Sequence, residues 1–371
     1  MKKNRSSNIE LLRIVAMLMI VTLHLLGNDH GNVLSKTEPF SLAWTVTWWL
    51  EALCTAAVNC FVLITGYFGA GTRDEGDFDA DGRAVKSRFK KILRLCVTVW
   101  FYHWIGFITA VGLHRCPPDR STLPVAAAPI LSNTYWFITT YICLCFLSPY
   151  INAMIKKLNQ NAHSRLTVLS VLLFSVIPTA LPMWDTFSSG GGGGIVWFTV
   201  VYIIGAYLRY YGVPARISEW KSKQWLAVYL SSSLILIFSK VFIAFATQTF
   251  IGHTVGTSLL YPYCSPVCLL ESVSLFMAFL KMKTDSDSTL ARAVFKISPL
   301  MFGVYIIHEN PFTKSALWEA VSPEVGDNVL VLLIKIITAV SAILIGCSAI
   351  EWLRQLLFGR TLQLLRRTGD Q

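Results

Sequence analysis

The stretch "LLRIVAMLMIVTLHLLG", residues 11–27, is apolar almost throughout, yet it carries Arg13 and His24. A charged side chain near the centre of a bilayer costs about 2.5–3.5 kcal/mol on the most lenient scales, so an ionisable group inside such a segment points to function. The two residues are eleven positions apart. At 100° per residue that is three turns plus about 20°, so both project from one helix face, roughly 16 Å apart along the axis. The stripe therefore carries a fixed cation at one level and a titratable imidazole at another. The plain alternative is that Arg13 snorkels to the nearer interface and His24 caps a helix end; the shared face weighs against it.

The rest of the chain agrees with a membrane setting. Of 371 residues, 54% are hydrophobic and only 14% charged. Soluble domains carry about 25% charged residues. Apolar runs of about 20 residues, the length that crosses a ~30 Å hydrocarbon core, recur from end to end. The composition predicts an all-α polytopic membrane protein, a single transmembrane domain over 1–371 with no separate soluble domain. The basic start "MKKNR" resembles a signal peptide, but Arg13 interrupts the apolar run and no small-residue cleavage site follows, so it reads as an uncleaved first span.

Ten spans are expected, near 8–27, 42–68, 93–113, 134–155, 166–183, 195–211, 224–246, 256–280, 298–318 and 328–352. With the N-terminus inside, 25 of the 32 Lys and Arg residues fall on the cytoplasmic side. Four (Lys36, Arg115, Arg120 and Lys314) fall on the other, and three (Arg13, Lys240 and Lys335) lie inside spans. This positive-inside bias predicts that both termini are cytoplasmic. It also accounts for the net charge of +11 without a nucleic-acid partner.

The nine cysteines show no CxxC and no Cys/His metal spacing, so no metal site is expected. Cys264 and Cys268 are one helical turn apart and read as packing. The run "SSGGGGG", 188–194, lacks the GK[ST] of a phosphate loop and reads as a flexible linker.

Further ionisable or polar candidates are Glu51, Asn59, Lys240, Glu271, His308, Glu309 and Lys335. Lys240 and Glu271, in successive spans, are expected to pair structurally. Glu51 and Lys335 lie near span ends, where an interfacial role would suffice. In "GVYIIHENPF" His308 and Glu309 sit together deep in the ninth span, so they must face a protein interior or a watery cavity. The segment "RAVKSRFKKILRL", 83–95, is a basic cluster: either a topogenic signal touching anionic lipid, or a phosphate-binding collar.

Four motifs in order resemble the acyltransferase family 3 membrane enzymes, which O-acylate cell-envelope glycans. They are Arg13 with His24 after ten intervening residues, Lys91-x-x-Arg94 at the opening of the third span, the "WF" of Trp136 and Phe137 opening the fourth, and Tyr305-x-x-His308 in a late span. One departure is "VNCFVLITGYFG", where Thr65 precedes Gly66 in place of the usual Ser. No role is assigned to Thr65.

The resemblance implies a multi-pass protein of the bacterial plasma membrane with no permanently bound cofactor. It further implies that cytoplasmic acyl-CoA, most often acetyl-CoA, donates to a hydroxyl of an exopolysaccharide or other envelope glycan, free or lipid-linked. His24 would be the base or acyl carrier and Arg13 its electrostatic support. Arg88, Lys91 and Arg94 would hold the CoA phosphates, and Trp136, His308 and Glu309 would bind substrate. The competing reading is a transporter or flippase whose intramembrane charges form a substrate path. A scaffold has no use for a buried Arg13 and His24.

Overall fold

The computed structural model describes residues 6–27, 30–71, 83–184, 187, 190–285, 287–326 and 328–368; the side chains of 83–88, 90, 91 and 359–368 lie outside that set. Among the described residues helix is the only regular secondary structure. In order the helices are α1 (Ser7–Leu26), α2 (Leu42–Cys54), α3 (Ala56–Gly69), α4 (Arg83–Gly112), α5 (Thr122–Ala127), α6 (Trp136–Lys156), α7 (Gln160–Val171) and α8 (Ile177–Ala180). They continue as α9 (Ile195–Tyr211), α10 (Ala215–Ser218), α11 (Ser222–Ile251), α12 (Pro266–Leu280), α13 (Thr289–Ile297), α14 (Met301–His308), α15 (Lys314–Val321) and α16 (Val329–Thr368).

Among the described residues eight stretches are long and apolar enough to cross a bilayer: Ser7–Leu26, Leu42–Gly69, Ile92–Gly112, Trp136–Lys156, Gln160–Ala180, Ser222–Ile251, Thr289–His308 and Val329–Phe358. Two shorter apolar helices, Ile195–Tyr211 and Pro266–Leu280, fall in the gaps of this series. The protein is a polytopic membrane protein.

Several boundaries differ from the sequence expectation, each for a local reason. The ninth segment lies at 289–308, not 298–318. Pro311 lacks a backbone N–H and disfavours helical geometry in the residue before it, so the helix stops at "HENP" and α15 is separate. The eighth begins only at Pro266, where the Ser265 hydroxyl accepts from the Cys268 N–H at 3.1 Å; residues 256–265, with Gly256 at φ 66° and Pro262, form turns. The fifth starts at Gln160 and runs through a wide π-turn, Leu172–Val176, just before Pro178, whose missing N–H leaves the regular ladder incomplete. The second segment is interrupted at Thr55, between α2 and α3.

α1 is the hub. It packs against α2, α3, α12, α13, α14 and α16, and most of its residues are buried. Its ends are pinned on opposite faces of the bundle. At one, Ser7 Oγ donates to Thr284 Oγ1 (2.7 Å) and Asn8 Nδ2 to the Phe279 carbonyl (2.8 Å). At the other, the loop after α1 meets the segment after α15, where Lys36 Nζ donates to Ser322 Oγ (3.2 Å). α3 and α9 cross at Gly66 and Gly205. A Cβ on Gly66 would lie 2.4 Å from the Tyr202 carbonyl oxygen and one on Gly205 2.7 Å from that of Leu63, so only glycine permits this approach.

Candidate active site

The site grows from the far end of α1. His24 leaves the last turn of that helix, and Gly31 folds the following loop back so that its N–H donates to the His24 carbonyl at 3.1 Å. A Cβ on Gly31 would stand 2.1 Å from the Leu25 carbonyl oxygen, so the return requires glycine. The loop lays the His30 ring over His24, centroids 4.6 Å apart and planes 6° from parallel. α14 arrives from the opposite wall with His308 in its last turn and Glu309 just after it.

These four side chains form one hydrogen-bonded cluster. His24 Nδ1 is 2.9 Å from His308 Nε2 and 3.3 Å from Glu309 Oε1. His30 Nε2 bonds Glu309 Oε1, and His308 Nδ1 lies 2.7 Å from the Val304 carbonyl. A carbonyl only accepts, so His308 Nδ1 carries a hydrogen and, in a neutral ring, its Nε2 accepts. His24 Nδ1 must then donate, which leaves the lone pair of a neutral His24 on Nε2. Glu309 is placed to take up positive charge arising on either His24 or His30. Trp318, fully buried, closes the back with its ring edge-on to His30 and His308. Trp318 and His30 carry no sequence signal of their own, since His30 is not at helical spacing from His24 and reaches it only through the turn.

His24, His308 and Glu309 offer three ligand atoms within 4.8 Å of one another, a set that could also hold a metal ion. Residues 24 and 308 belong to different ends of the chain, so spacing could not have revealed that set. The hydrogen bonds described above already engage all three side chains.

His24 and Arg13 line the same cavity, of about 350 Å³, as their shared face predicts. Its walls include Thr65, Tyr141, Phe137 and Tyr305, and Trp136 and Tyr263 bound it as well. The Thr65 hydroxyl donates to the Phe61 carbonyl at 2.8 Å and lies 3.2 Å from Tyr141 Oη. The Tyr305 hydroxyl is buried with no hydrogen-bond partner among the described residues. Arg13 is partly exposed and its Nη1 donates to Glu10 Oε1 at 3.2 Å. Glu10, buried one turn earlier, was not anticipated, although its i, i+3 spacing to Arg13 is a recognisable ion-pair signal.

Trp136 stacks on Tyr263 with centroids 6.1 Å apart and planes 16° from parallel. Asn59 fixes that loop: its Nδ2 donates to the Tyr263 carbonyl (2.9 Å), while its Oδ1 accepts from Trp197 Nε1 (3.0 Å).

The remaining expectations divide. Lys240 and Glu271 do not pair. Lys240 Nζ sits 3.2 Å over the Trp48 ring and donates to Thr257 and Ser258, whereas Glu271 Oε2 accepts from the Thr55 hydroxyl at 2.8 Å. The α2–α3 interruption places Thr55 there to meet that carboxylate. Lys335 is exposed and donates to the Glu324 carbonyl, in keeping with an interfacial place. Of the basic collar, the side chains of Arg88 and Lys91 lie outside the described residues. Arg94 is exposed, and it is its neighbour Leu95 that lines the cavity. Cys268 is buried with its Sγ 3.6 Å from the Thr55 carbonyl, in line with packing.

Comparison with curated proteins and with solved structures returns no match. A family model described as an acyltransferase domain matches residues 6–352, nearly the whole chain, and takes in both walls of the cavity. The chain belongs to acyltransferase family 3 and is a membrane-embedded acyltransferase.

Proposed function

We propose that this acyltransferase moves an acyl group, most often acetyl, from cytoplasmic acyl-CoA to a hydroxyl of an exopolysaccharide or other cell-envelope glycan in a bacterial plasma membrane. The observation that carries the reading is the single cavity that runs between Arg13 and His24 and ends at the cluster of three histidines and one glutamate. His24 Nε2 takes the hydroxyl proton as the oxygen attacks the thioester carbonyl carbon. Glu309, 3.3 Å from His24 Nδ1, stabilises the imidazolium that forms. Collapse of the tetrahedral adduct breaks the C–S bond, and the departing thiolate takes the proton back from the imidazolium. The Tyr305 hydroxyl is a donor available to the developing oxyanion. Arg13, held by Glu10, supports the donor end of the cavity, and Arg88, Lys91 and Arg94 are assigned to the CoA phosphates on the cytoplasmic side.

The test is release of CoA thiol by purified protein supplied with acetyl-CoA and a glycan acceptor. Acceptor-dependent release with acetyl ester on the glycan is expected. A protein that binds and moves glycan without releasing thiol would be a flippase, and this reading would fall.

A further inference from the structure

A second cavity, of about 560 Å³, opens beside the first. Trp136 and Tyr263 line both, so the two chambers meet at that aromatic pair. α1 forms part of the wall at the same level, with Leu23 lining the second chamber and His24 the first. The turns at Gly190–Gly193 and Ser258–Tyr263 complete it, so the glycine run is wall rather than mere linker.

Its chemistry is specific. Trp48, Tyr261 and Tyr263 present aromatic surface, and Glu51, Thr55 and Ser258 present oxygen atoms. Aromatic faces hold the C–H surface of a pyranose while carboxylate and hydroxyl oxygens bond its hydroxyls. Two groups ask for such a ligand: Glu51 Oε2 and Trp48 Nε1 are both buried with no hydrogen-bond partner among the described residues. Buried polar atoms are ordinarily paired, and a sugar hydroxyl both donates and accepts, so hydroxyls of one ring can satisfy the acceptor and the donor.

Charge narrows the class of sugar. Among the described residues Glu51 is the one acidic or basic side chain lining the chamber. Lys240 is buried behind it, its ammonium engaged with the Trp48 ring, Thr257 and Ser258. It stiffens the aromatic wall from behind, so among the described residues no cation lines the chamber to pair with an acidic sugar.

We propose that this chamber binds a neutral sugar unit of the acceptor, with Glu51 and Trp48 bonding its hydroxyls, Tyr261 packing its face, and one hydroxyl directed past Trp136 and Tyr263 towards His24. This assignment rests on the acyl-transfer reading for its role, but its binding chemistry is tested independently.

The experiment is saturation-transfer NMR on the purified protein in lipid nanodiscs, with the methyl α-glycosides of glucose, galactose and mannose and the methyl glycoside of glucuronic acid. At least one neutral glycoside is expected to receive saturation and the glucuronide none. Glu51→Gln and Tyr261→Ala, each checked for monodispersity and retained acetyl-CoA binding, should each weaken the neutral glycoside about tenfold, as expected for a lost buried hydrogen bond or a lost aromatic platform. No transfer to any neutral glycoside, or equal transfer in both variants, overturns the proposal. Thiol release measured on the same samples separates the two readings. Release with binding indifferent to Glu51 removes the sugar site and leaves acyl transfer standing. Glu51-dependent binding without release leaves the sugar site and removes acyl transfer.

Discussion

His24 Nδ1 and His308 Nε2 stand 2.9 Å apart although 284 positions separate them in the chain. Because His308 Nδ1 is committed to the Val304 carbonyl, this contact sets which nitrogen of His24 is basic. Together with Glu309 at 3.3 Å from the same nitrogen, His308 holds a neutral His24 in the tautomer that carries its hydrogen on Nδ1.

It follows that His24→Ala should abolish transfer while acyl-CoA still binds, with a loss of at least the 10²–10⁴-fold that general base catalysis typically supplies. His308→Ala should lower kcat more than KM, because it disturbs the tautomer and not the donor. A well-inserted His24→Ala protein turning over at near-native rate would end the proposed mechanism, and activity lost in His308→Ala alone would move the base to α14.

Arg13 and Glu10 should behave as one unit, since the guanidinium is held by that carboxylate at 3.2 Å. Arg13→Lys keeps the charge but loses the planar fork of donors. Partial activity is expected if charge alone supports the donor, and complete loss if geometry matters. Glu10→Gln should raise the KM for acyl-CoA with little change in kcat. Steady-state kinetics of the two variants and the double variant measure their coupling, and strictly additive effects would show that the ion pair has no part in donor handling.

Gly31→Ala should displace the His30 loop, since a Cβ there meets the Leu25 carbonyl at 2.1 Å. Overpacking of a fitted interior costs about 1–3 kcal/mol, so a lowered thermal midpoint and loss of activity are expected together. Gly112→Ala, where nothing lies within 4 Å, is the control and should be silent. Native turnover in Gly31→Ala would show that the folded-back loop is dispensable.

The charge bias predicts sidedness. Reporter fusions after Arg115 and after Gln371 should report opposite faces of the membrane, the second of them cytoplasmic. Both fusions on one face would break the ten-span arrangement and with it the cytoplasmic placement of the basic segment 83–95.

Hydropathy by itself determined the membrane class, the helical fold and the position of α9 at 195–211, because a bilayer accepts little besides apolar helices of sufficient length. Helical geometry along α1 likewise placed Arg13 and His24 on one wall, because a single helix needs no other part of the chain to set its faces. The family motifs carried the chemistry of Tyr305 and His308 without their geometry. Where prolines and side-chain caps compete with apolar length, as at "HENP" and "SPVC", hydropathy ran the spans past the breaks, since a break is tolerated where neighbouring groups satisfy the freed backbone. The tertiary structure alone decided who meets whom. It brought His308 and Glu309 to His24 across the bundle and turned His30 back through Gly31. It sent Lys240 to the Trp48 ring instead of Glu271. Those choices depend on helix packing and loop closure, which couple residues hundreds of positions apart and leave no local period in the sequence.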